Sequence, residues 1–321
     1  MLTKRQLSTE ELHKIIGRFD LGKIEKIEPL ATSGNIAYII KTLERSYFLR
    51  LCPLGSRWRS PEEIAAELEL INYLQAANFP VIGAVKDKDG KEIISRGKHN
   101  GYLREFIEAQ EKLNPTAEEV AKFGEIVGWL HSLTENYQTK NKREHIFNLA
   151  ETKAYFEENK EKILASDFKD KEKFINSFEA ELNRLTFPDK LPWGMIHEDL
   201  GKRHAIWQED EIWALIDFDR CYFGQLILDL GEACRGWCFI NDWQEWSTEN
   251  FTALIEGYQK KRKLTDLEKQ LLPDAIKFGI LELALSFCLR FINVTHDPED
   301  EQFALESVFK QLDLTPKRKT I

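Results

Sequence analysis

The chain between residues 195 and 233 constrains the fold more tightly than any other segment. Short apolar runs (MI, AIW and IWALI) alternate there with carboxylate and imidazole side chains. Runs of this length predict strands that bury both faces, so the polar residues between them are held at the strand ends. The pattern therefore predicts a strand–loop–strand unit with a rigid polar site. Its polar members are His197, Asp199, His204, Asp217, Asp219 and Asp229.

Charge and composition argue against several classes of protein. With 321 residues, the chain is long enough for two domains or one large two-lobed unit. Its net charge of -9 argues against a nucleic acid partner. Five cysteines without paired spacing predict a reduced, cytoplasmic protein. The longest apolar region, residues 275–294, contains Lys277, Glu282 and Arg290, which predicts a buried helix and no membrane span.

The first 108 residues predict a small sheet with one large helix. Residues 24–52 alternate as a three-strand meander with small residues in its turns. Residues 60–79 predict an amphipathic helix that begins at Ser60, with Pro61 at its first position. A hairpin turned at Asp89-Gly90 is expected over residues 81–95, and a further strand over residues 101–109.

Sequence patterns typical of strands become rare after residue 108. Thr116 and Glu119 predict a capping box, and Phe123, Val127 and Leu130 predict the buried face of the helix that follows. Two or three more helices are expected over residues 139–190, and helices again to about residue 312. The predicted fold class is α+β, with one lobe at residues 1–107 and a second at residues 108–321.

These segments together resemble the aminoglycoside phosphotransferase superfamily, which includes choline kinases, one type of homoserine kinase and macrolide kinases. The matching stretches are SGNIAYII, FLRL, AAELELINYLQAANFPV, FGEIVGWLH and IHEDLGKRH…LIDFD…DLGEA. The resemblance implies a bilobal, protein-kinase-like fold with a small antiparallel sheet and one large helix in the first lobe, and a mostly helical second lobe. It also implies transfer of the γ-phosphate of ATP or GTP to a hydroxyl of a small molecule, with Mg²⁺ or Mn²⁺ as the metal.

The resemblance assigns a phosphate-binding turn to the first lobe. Ser33, Gly34 and Asn35 form the turn whose backbone N–H groups would lie over phosphate oxygens, because glycine permits close approach and positive φ. A plain hairpin turn is the alternative for these three residues.

Further nucleotide contacts follow from the same resemblance. Arg50 matches the cation that faces the phosphates, and Glu67 matches the acid that pairs with it, with Glu69 as its competitor. Glu105 and Ile107 match the hinge between the lobes, whose backbone groups would bond the nucleotide base.

The resemblance assigns the catalytic and metal-binding roles to residues 195–233. Asp199 resembles the carboxylate that accepts or orients the proton of the acceptor hydroxyl. His204 and Asp217 resemble the two metal ligands. His204 is a departure, because Asn is usual there and imidazole favours softer metals than Mg²⁺. Asp219 would point to the same side as Asp217 if the segment is extended, and would bind a second metal ion or the substrate.

Other residues of this segment have supporting roles by resemblance. Lys202 and Arg203 are candidates to stabilise the transferring phosphoryl group, with loop solvation as the alternative. His197 and Asp229 are expected to be structural: a buried imidazole that braces the loop, and a carboxylate at a helix start that bonds the loop backbone. Glu198 is a second departure, since Gly is usual there; it either selects a cationic substrate group or points to solvent.

Three functions are compatible with these residues. The leading hypothesis is a kinase that binds a nucleotide and phosphorylates a small-molecule hydroxyl on an amino-alcohol, a homoserine-like amino acid or an antibiotic. A catalytically weak, nucleotide-binding regulatory protein is an alternative supported by Glu198 and His204. A Ser/Thr protein kinase is disfavoured, because only 11 residues separate Asp217 from Asp229. The Trp-rich stretch at residues 237–246 either lines the acceptor cleft or packs the lobe.

Overall fold

The computed structural model describes residues 6–32, 35–53, 60–96, 99–108, 112–135, 137–141, 143 and 148–318, and it confirms the α+β fold class. The strands are β1 (Ile24–Leu30), β2 (Ile36–Thr42), β3 (Ser46–Pro53), β4 (Ile93–Arg96), β5 (His99–Glu105), β6 (Trp193–Ile196), β7 (Ala205–Gln208), β8 (Glu211–Leu215), β9 (Tyr222–Gln225), β10 (Phe239–Ile240) and β11 (Glu245–Trp246). The α-helices are α1 (Thr9–Ile16), α2 (Pro61–Ala76), α3 (Ala117–Thr134), α4 (Leu149–Ala165), α5 (Lys171–Arg184), α6 (Leu226–Cys238), α7 (Thr248–Lys261), α8 (Asp266–Arg290), α9 (Pro298–Glu306) and α10 (Leu312–Leu314).

The first lobe is a five-stranded antiparallel sheet in the order β1-β2-β3-β5-β4. The predicted meander forms, and α1 packs on the sheet through Leu12, Ile15 and Ile16, which share an apolar cluster with the strands. The predicted hairpin over residues 81–95 was wrong in its pairing, because β4 pairs with β5 and residues 81–87 make only isolated bridges.

Helix α2 joins the two lobes. Ser60 caps it by accepting a hydrogen bond from the N–H of Glu63, and Pro61 occupies the first turn, as the sequence predicts. Its buried residues Ile64, Leu68 and Leu74 belong to the same apolar cluster as the helices of the second lobe. Burial of this face therefore fixes α2 between the sheet and the helical lobe.

The second lobe is helical around a large aromatic core. Thr116 and Glu119 form the expected capping box of α3. Helices α3 and α7 cross so closely that a Cβ on Gly124 would lie 2.1 Å from the carbonyl oxygen of Leu254. The crossing therefore requires glycine at this position. Among the described helices, none is both long and apolar enough to cross a membrane.

The second lobe also contains two short two-stranded antiparallel sheets. Strand β6 pairs with β9, while β7 and β8 form a hairpin. The expectation that these runs bury both faces was wrong for β8, where Trp213 is 40% exposed on the outer face. β8 also continues toward the first lobe, since the N–H of Leu215 donates to the carbonyl of Pro80 at 2.8 Å.

Candidate active site

Asp229 holds the backbone of the loop that follows β6. Its carboxylate accepts hydrogen bonds from the N–H of His197 at 2.9 Å and from the N–H of Glu198 at 2.7 Å. Burial alone would raise the pKa of Asp229, but the hydrogen bond from His131 and the nearby imidazoles outweigh it and lower the pKa. Asp229 is therefore a buried carboxylate that organises the loop, as a structural role requires.

His197 is fully buried, and both of its ring nitrogens are engaged. Nδ1 accepts from the N–H of Asp199 at 3.2 Å, so Nε2 carries the proton and donates to the carbonyl of Ile216 at 3.0 Å. Burial lowers the pKa of His197, which favours this neutral form. The ring links the loop to the end of β8 and has no nitrogen left for proton transfer.

The Asp199 carboxylate reaches solvent at the mouth of the site, with 22% of its side chain exposed. Arg203 Nη2 lies 4.0 Å from Asp199 Oδ2, and His204 Nδ1 lies 3.5 Å from Oδ1. The ammonium of Lys202 donates instead to the carbonyl of Phe239 at 3.3 Å. Of the two predicted phosphoryl-stabilising cations, Arg203 is therefore the one near Asp199.

His204 and Asp217 face each other across the mouth of the site. His204 Nδ1 donates to the carbonyl of Asp199 at 2.7 Å, so its lone pair is on Nε2. This nitrogen accepts a hydrogen bond from Arg203 Nε at 3.2 Å and lies 3.5 Å from Asp217 Oδ2. One imidazole nitrogen and one carboxylate oxygen at this separation fit two adjacent ligands of a divalent ion. Among the described residues there is no group of three or more His, Cys, Asp or Glu side chains that could hold a metal. The donor set therefore suits an ion that completes its shell with phosphate oxygens and water.

Arg50 connects the sheet to this pair of ligands. Its Nη1 donates to Asp217 Oδ1 at 3.0 Å, its Nη2 contacts Asp219, and Nη1 lies 3.9 Å from Glu67 Oε1. Burial disfavours its charged form, but the field of Asp217, with Tyr102 and Glu67, outweighs burial and raises the pKa of Arg50. Arg50 is thus a permanently charged bridge between β3 and the end of β8.

The segment that carries Asp219 differs from the extended form expected. Asp217 has a left-handed backbone (φ 70°), and residues 218–220 form a 3-10 turn. Asp219 is still brought to the same guanidinium as Asp217, because the turn returns its carboxylate toward Arg50.

The two acids that competed for Arg50 lie in different environments. Glu67 is buried at 2% exposure and accepts a hydrogen bond from the Tyr102 hydroxyl at 2.7 Å. Glu69 instead accepts from the backbone N–H of Lys140 at 2.8 Å and from the Asn141 side chain at 2.7 Å. Only Glu67 therefore lies beside Arg50, and Glu69 ties α2 to the segment after α3.

The predicted nucleotide turn and hinge are described in part. Ser33 and Gly34 lie outside the described residues, and the carbonyl of Asn35 accepts from the Thr32 hydroxyl. At the hinge, the carbonyl of Glu105 accepts from Arg104 Nη1 at 3.0 Å. Ile107 packs against an apolar cluster that spans both lobes, formed by Ile82, Ile206, Ala214 and Ile216.

The Glu198 side chain is largely buried and paired with an arginine, so it does not point to solvent. Its backbone is left-handed (φ 70°), a conformation that glycine adopts at no cost. Its carboxylate lies 2.6 Å from Arg220 Nε, and its side chain is 12% exposed. Burial raises the pKa of Glu198 well above its usual range.

Comparison with known proteins identifies the chain. The model of the phosphotransferase enzyme family matches residues 26–266. The chain belongs to this family. It is accordingly a phosphotransferase that acts on a hydroxyl group, and the family implies ATP and a divalent metal. The resemblance seen in the sequence motifs is confirmed.

Relatives of this phosphotransferase match over nearly their whole length. A homoserine kinase from Zymomonas mobilis is 28% identical over 305 residues, covering 92% of this chain and 91% of the relative. A homoserine kinase from a Caulobacter species is 26% identical and covers 88% of each chain. Each is a protein to which this phosphotransferase is similar.

Solved structures share the fold of the phosphotransferase. An amicoumacin kinase in complex with AMP-PNP and Ca²⁺ superposes with a TM-score of 0.75 at 18% identity, covering 95% of this chain and 94% of the other. A microcompartment-associated aminopropanol kinase has a TM-score of 0.67 at 18% identity and covers 94% of each. The bilobal, protein-kinase-like fold predicted from the sequence is confirmed.

Several residues of the phosphotransferase site were missed by the sequence interpretation. Tyr102 lies opposite Arg50 in the β3–β5 ladder, a neighbour that becomes visible only once the register is known. His131 lies in the FGEIVGWLH stretch, and its Nε2 donates to Asp229 at 2.9 Å. Arg220 follows the IDFD motif directly, which is a usable signal for a charge at the site.

Proposed function

We propose that this phosphotransferase is an ATP-dependent kinase whose acceptor is a small, amine-bearing alcohol of the homoserine type. The observation that carries the proposal is the Asp199 carboxylate, which reaches the mouth of the site beside the His204–Asp217 pair. Full-length relatives named homoserine kinase support the class of acceptor. Beside the site, two arginines (Arg220 and Arg235) pair with three glutamates (Glu198, Glu232 and Glu282).

Asp199 acts as the base in this proposal. Its carboxylate accepts a hydrogen bond from the acceptor hydroxyl and orients the oxygen toward the γ-phosphorus. The new oxygen–phosphorus bond forms as the bond to the β-phosphate oxygen breaks, and the hydroxyl proton passes to Asp199. A carboxylate suits this role because the transition state is loose and positioning matters more than basicity.

The remaining charged residues bind the nucleotide and its metal. His204 Nε2 and Asp217 would hold the divalent ion, which supplies positive charge to the phosphate oxygens. Arg50, backed by Glu67, is directed to the phosphates, and Arg203 balances charge on the transferring group. Mg²⁺ is the expected metal, with Mn²⁺ favoured by the imidazole. Asp219 orients Arg50 in this proposal.

The nucleotide base is proposed to bind at the hinge. Backbone groups of Glu105 and Ile107 would bond its edge, and the apolar cluster around Ile82 and Ile206 would cover its face. ATP is preferred over GTP here by family resemblance. The turn at residues 33–35 would close over the phosphates, with the boundary between the lobes at residues 107 and 108.

A phosphoryl-transfer screen tests the acceptor directly. The purified protein is incubated with γ-labelled ATP, Mg²⁺ or Mn²⁺, and a panel containing homoserine, aminopropanol and an aminoglycoside. We expect the highest kcat/KM with homoserine, because the relatives that match over nearly the whole chain are named homoserine kinases. Nucleotide binding without turnover on any acceptor would favour the regulatory alternative, and autophosphorylation would favour a protein kinase.

The role of Asp199 is tested by Asp199→Asn. We expect kcat to fall by about 10²–10⁴-fold, because an amide accepts the hydroxyl proton far less well than a carboxylate. ATP affinity, measured by calorimetry, should stay near the wild-type value. Asp313→Asn, which changes an exposed carboxylate on α10, is the matched control and should retain full activity. Wild-type kcat in Asp199→Asn would refute the assignment.

A further inference from the structure

Glu198 occupies a backbone conformation that its side chain makes costly. Its φ of 70° lies in the left-handed region, where glycine is unstrained and other residues lose about 1 kcal/mol. The carboxylate is also largely withdrawn from water, since its side chain is only 12% exposed. A side chain with both costs, one residue before Asp199, indicates a role that glycine cannot perform.

The Glu198 carboxylate is bound to a guanidinium. Arg220 Nε lies 2.6 Å from Glu198 Oε2, and Arg220 Nη2 donates to Glu282 Oε1 at 2.9 Å. Glu282 lies on α8, so Arg220 links the loop to that helix. A cavity of about 10 Å³ next to these groups is lined by Glu198, Glu232 and Glu282.

Asp199 is the second loop carboxylate whose charge acts on this guanidinium. Burial disfavours the charged form of Arg220, but the fields of Glu198, Glu282 and then Asp199 outweigh it and raise the pKa of Arg220. In the chain, Asp199 directly follows Glu198, the residue whose carboxylate lies 2.6 Å from Arg220 Nε, so the two acids occupy neighbouring positions of the loop that faces this guanidinium. Because Glu198 is in direct contact, the ion pair forms with Glu198, and Asp199 still faces the mouth of the site.

We propose that Glu198 is a positioning residue that holds the Arg220 guanidinium away from Asp199 and so leaves the Asp199 carboxylate to the acceptor hydroxyl. This inference rests on the proposed role of Asp199 as the base. It explains why a carboxylate is present where the left-handed backbone alone favours glycine. Without Glu198, the guanidinium has Asp199 as its alternative second carboxylate, and an ion pair there would block the acceptor.

Charge balance makes this proposal testable without unfolding the protein. Glu198→Gly leaves two glutamates against two arginines, so no buried charge loses its last partner, and it relieves the left-handed strain. Arg220→Gln alone leaves Glu198 without its guanidinium and should lower Tm. In the double variant Glu198→Gly/Arg220→Gln, two glutamates remain with one arginine. This group of side chains therefore has the same excess of one carboxylate over guanidinium groups as in the wild type.

The experiment compares steady-state kinetics and Tm for the wild type, both single variants and the double variant. We expect Glu198→Gly to keep or raise Tm but to lower kcat with the best acceptor at least about tenfold, because the base is blocked. The KM for ATP should not change. The double variant should recover most of the kcat lost in Glu198→Gly, since the blocking guanidinium is gone. Glu209→Gly removes an exposed glutamate, also at positive φ, from the β7–β8 turn and should leave kcat unchanged.

Two results would overturn the proposal: wild-type kcat in Glu198→Gly, or a double variant as slow as Glu198→Gly. A crystal structure of Glu198→Gly gives a readout independent of activity, in which Arg220 should bond Asp199. Arg220 in its original place would refute the inference even if the protein is a kinase. Absence of phosphoryl transfer by the wild type, with Arg220 displaced onto Asp199 in the variant, would instead refute the proposed function alone.

Discussion

At the scale of single residues, the proton position on His204 decides what the site can bind. Its Nδ1 donates to a backbone carbonyl, so Nε2 keeps the lone pair, which accepts from Arg203 Nε and would have to be released by Arg203 to bind a metal ion beside Asp217. An asparagine at this position would offer an amide oxygen, which is a harder ligand. Replacing the imidazole nitrogen of His204 by an asparagine amide oxygen should therefore alter metal preference more than it alters nucleotide binding.

His204→Asn is predicted to lower the ratio of Mn²⁺-supported to Mg²⁺-supported kcat, because an oxygen ligand replaces an imidazole. His204→Ala should reduce kcat with both metals. The measurement is phosphoryl transfer across a titration of each ion. His296→Ala, which changes a half-exposed histidine far along the chain, serves as the control. Unchanged activity with Mg²⁺ in His204→Ala would contradict the ligand assignment.

At the scale of elements, helices α3, α6 and α7 together hold the catalytic loop. The Tyr258 hydroxyl accepts from Arg262 at 2.9 Å and donates to His131 Nδ1 at 2.9 Å. His131 Nε2 in turn donates to Asp229, whose two oxygens accept from the loop backbone. The loop geometry is thus set by a buried hydrogen-bond chain that begins at the end of α7.

Asp229→Asn is predicted to destabilise the protein by about 1.5–3 kcal/mol, because the amide turns an N–H donor toward groups that are themselves donors. The pKa of Asp229 is lowered in the fold, so its contribution is complete above the unfolded-state pKa of about 3.9 and is lost as pH falls through the folded value. The stability gap to the wild type in urea unfolding should therefore be full at neutral pH and narrow in strong acid. Asp313→Asn is the control, and a gap that widens in acid would contradict this account.

At the scale of the whole molecule, a buried charge cluster centred on Arg50 joins the two lobes. Arg50 comes from the sheet, while Asp217 and Asp219 come from the segment between β8 and β9. Glu67 and Tyr102 complete the cluster from the first lobe. Because one guanidinium contacts carboxylates from both lobes, it ties the sheet of the first lobe to the segment between β8 and β9.

Arg50→Met is predicted to lower the free energy of unfolding by about 3–5 kcal/mol, since it removes the guanidinium beside the buried carboxylates of Glu67 and Asp219. ATP affinity should also fall, because the same guanidinium is the one proposed to face the phosphates. Urea unfolding and calorimetry with ATP measure the two effects. Arg45→Met, in the exposed β2–β3 turn, is the matched control. Wild-type stability in Arg50→Met would refute the bridging role.

Local sequence signals predicted the elements that depend on nearby residues. The capping box of Thr116 and Glu119, the Ser60–Pro61 helix start and the meander formed as expected, because turn and cap chemistry acts within a few residues. The pairing of β4 with β5 was missed, since the stretch from Val81 has strand-like residues but its backbone is used to meet β8.

The sequence by itself determined the family, the two-lobed α+β architecture and the charged residues of the loop around Asp199, though not Arg220. Only the tertiary structure decided how these charges pair: that Glu67 and not Glu69 lies beside Arg50, and that Glu198 binds Arg220. The physical reason is distance along the chain. Periodicity and capping act over a few residues, whereas an ion pair such as Arg50 with Asp217 joins residues 167 positions apart.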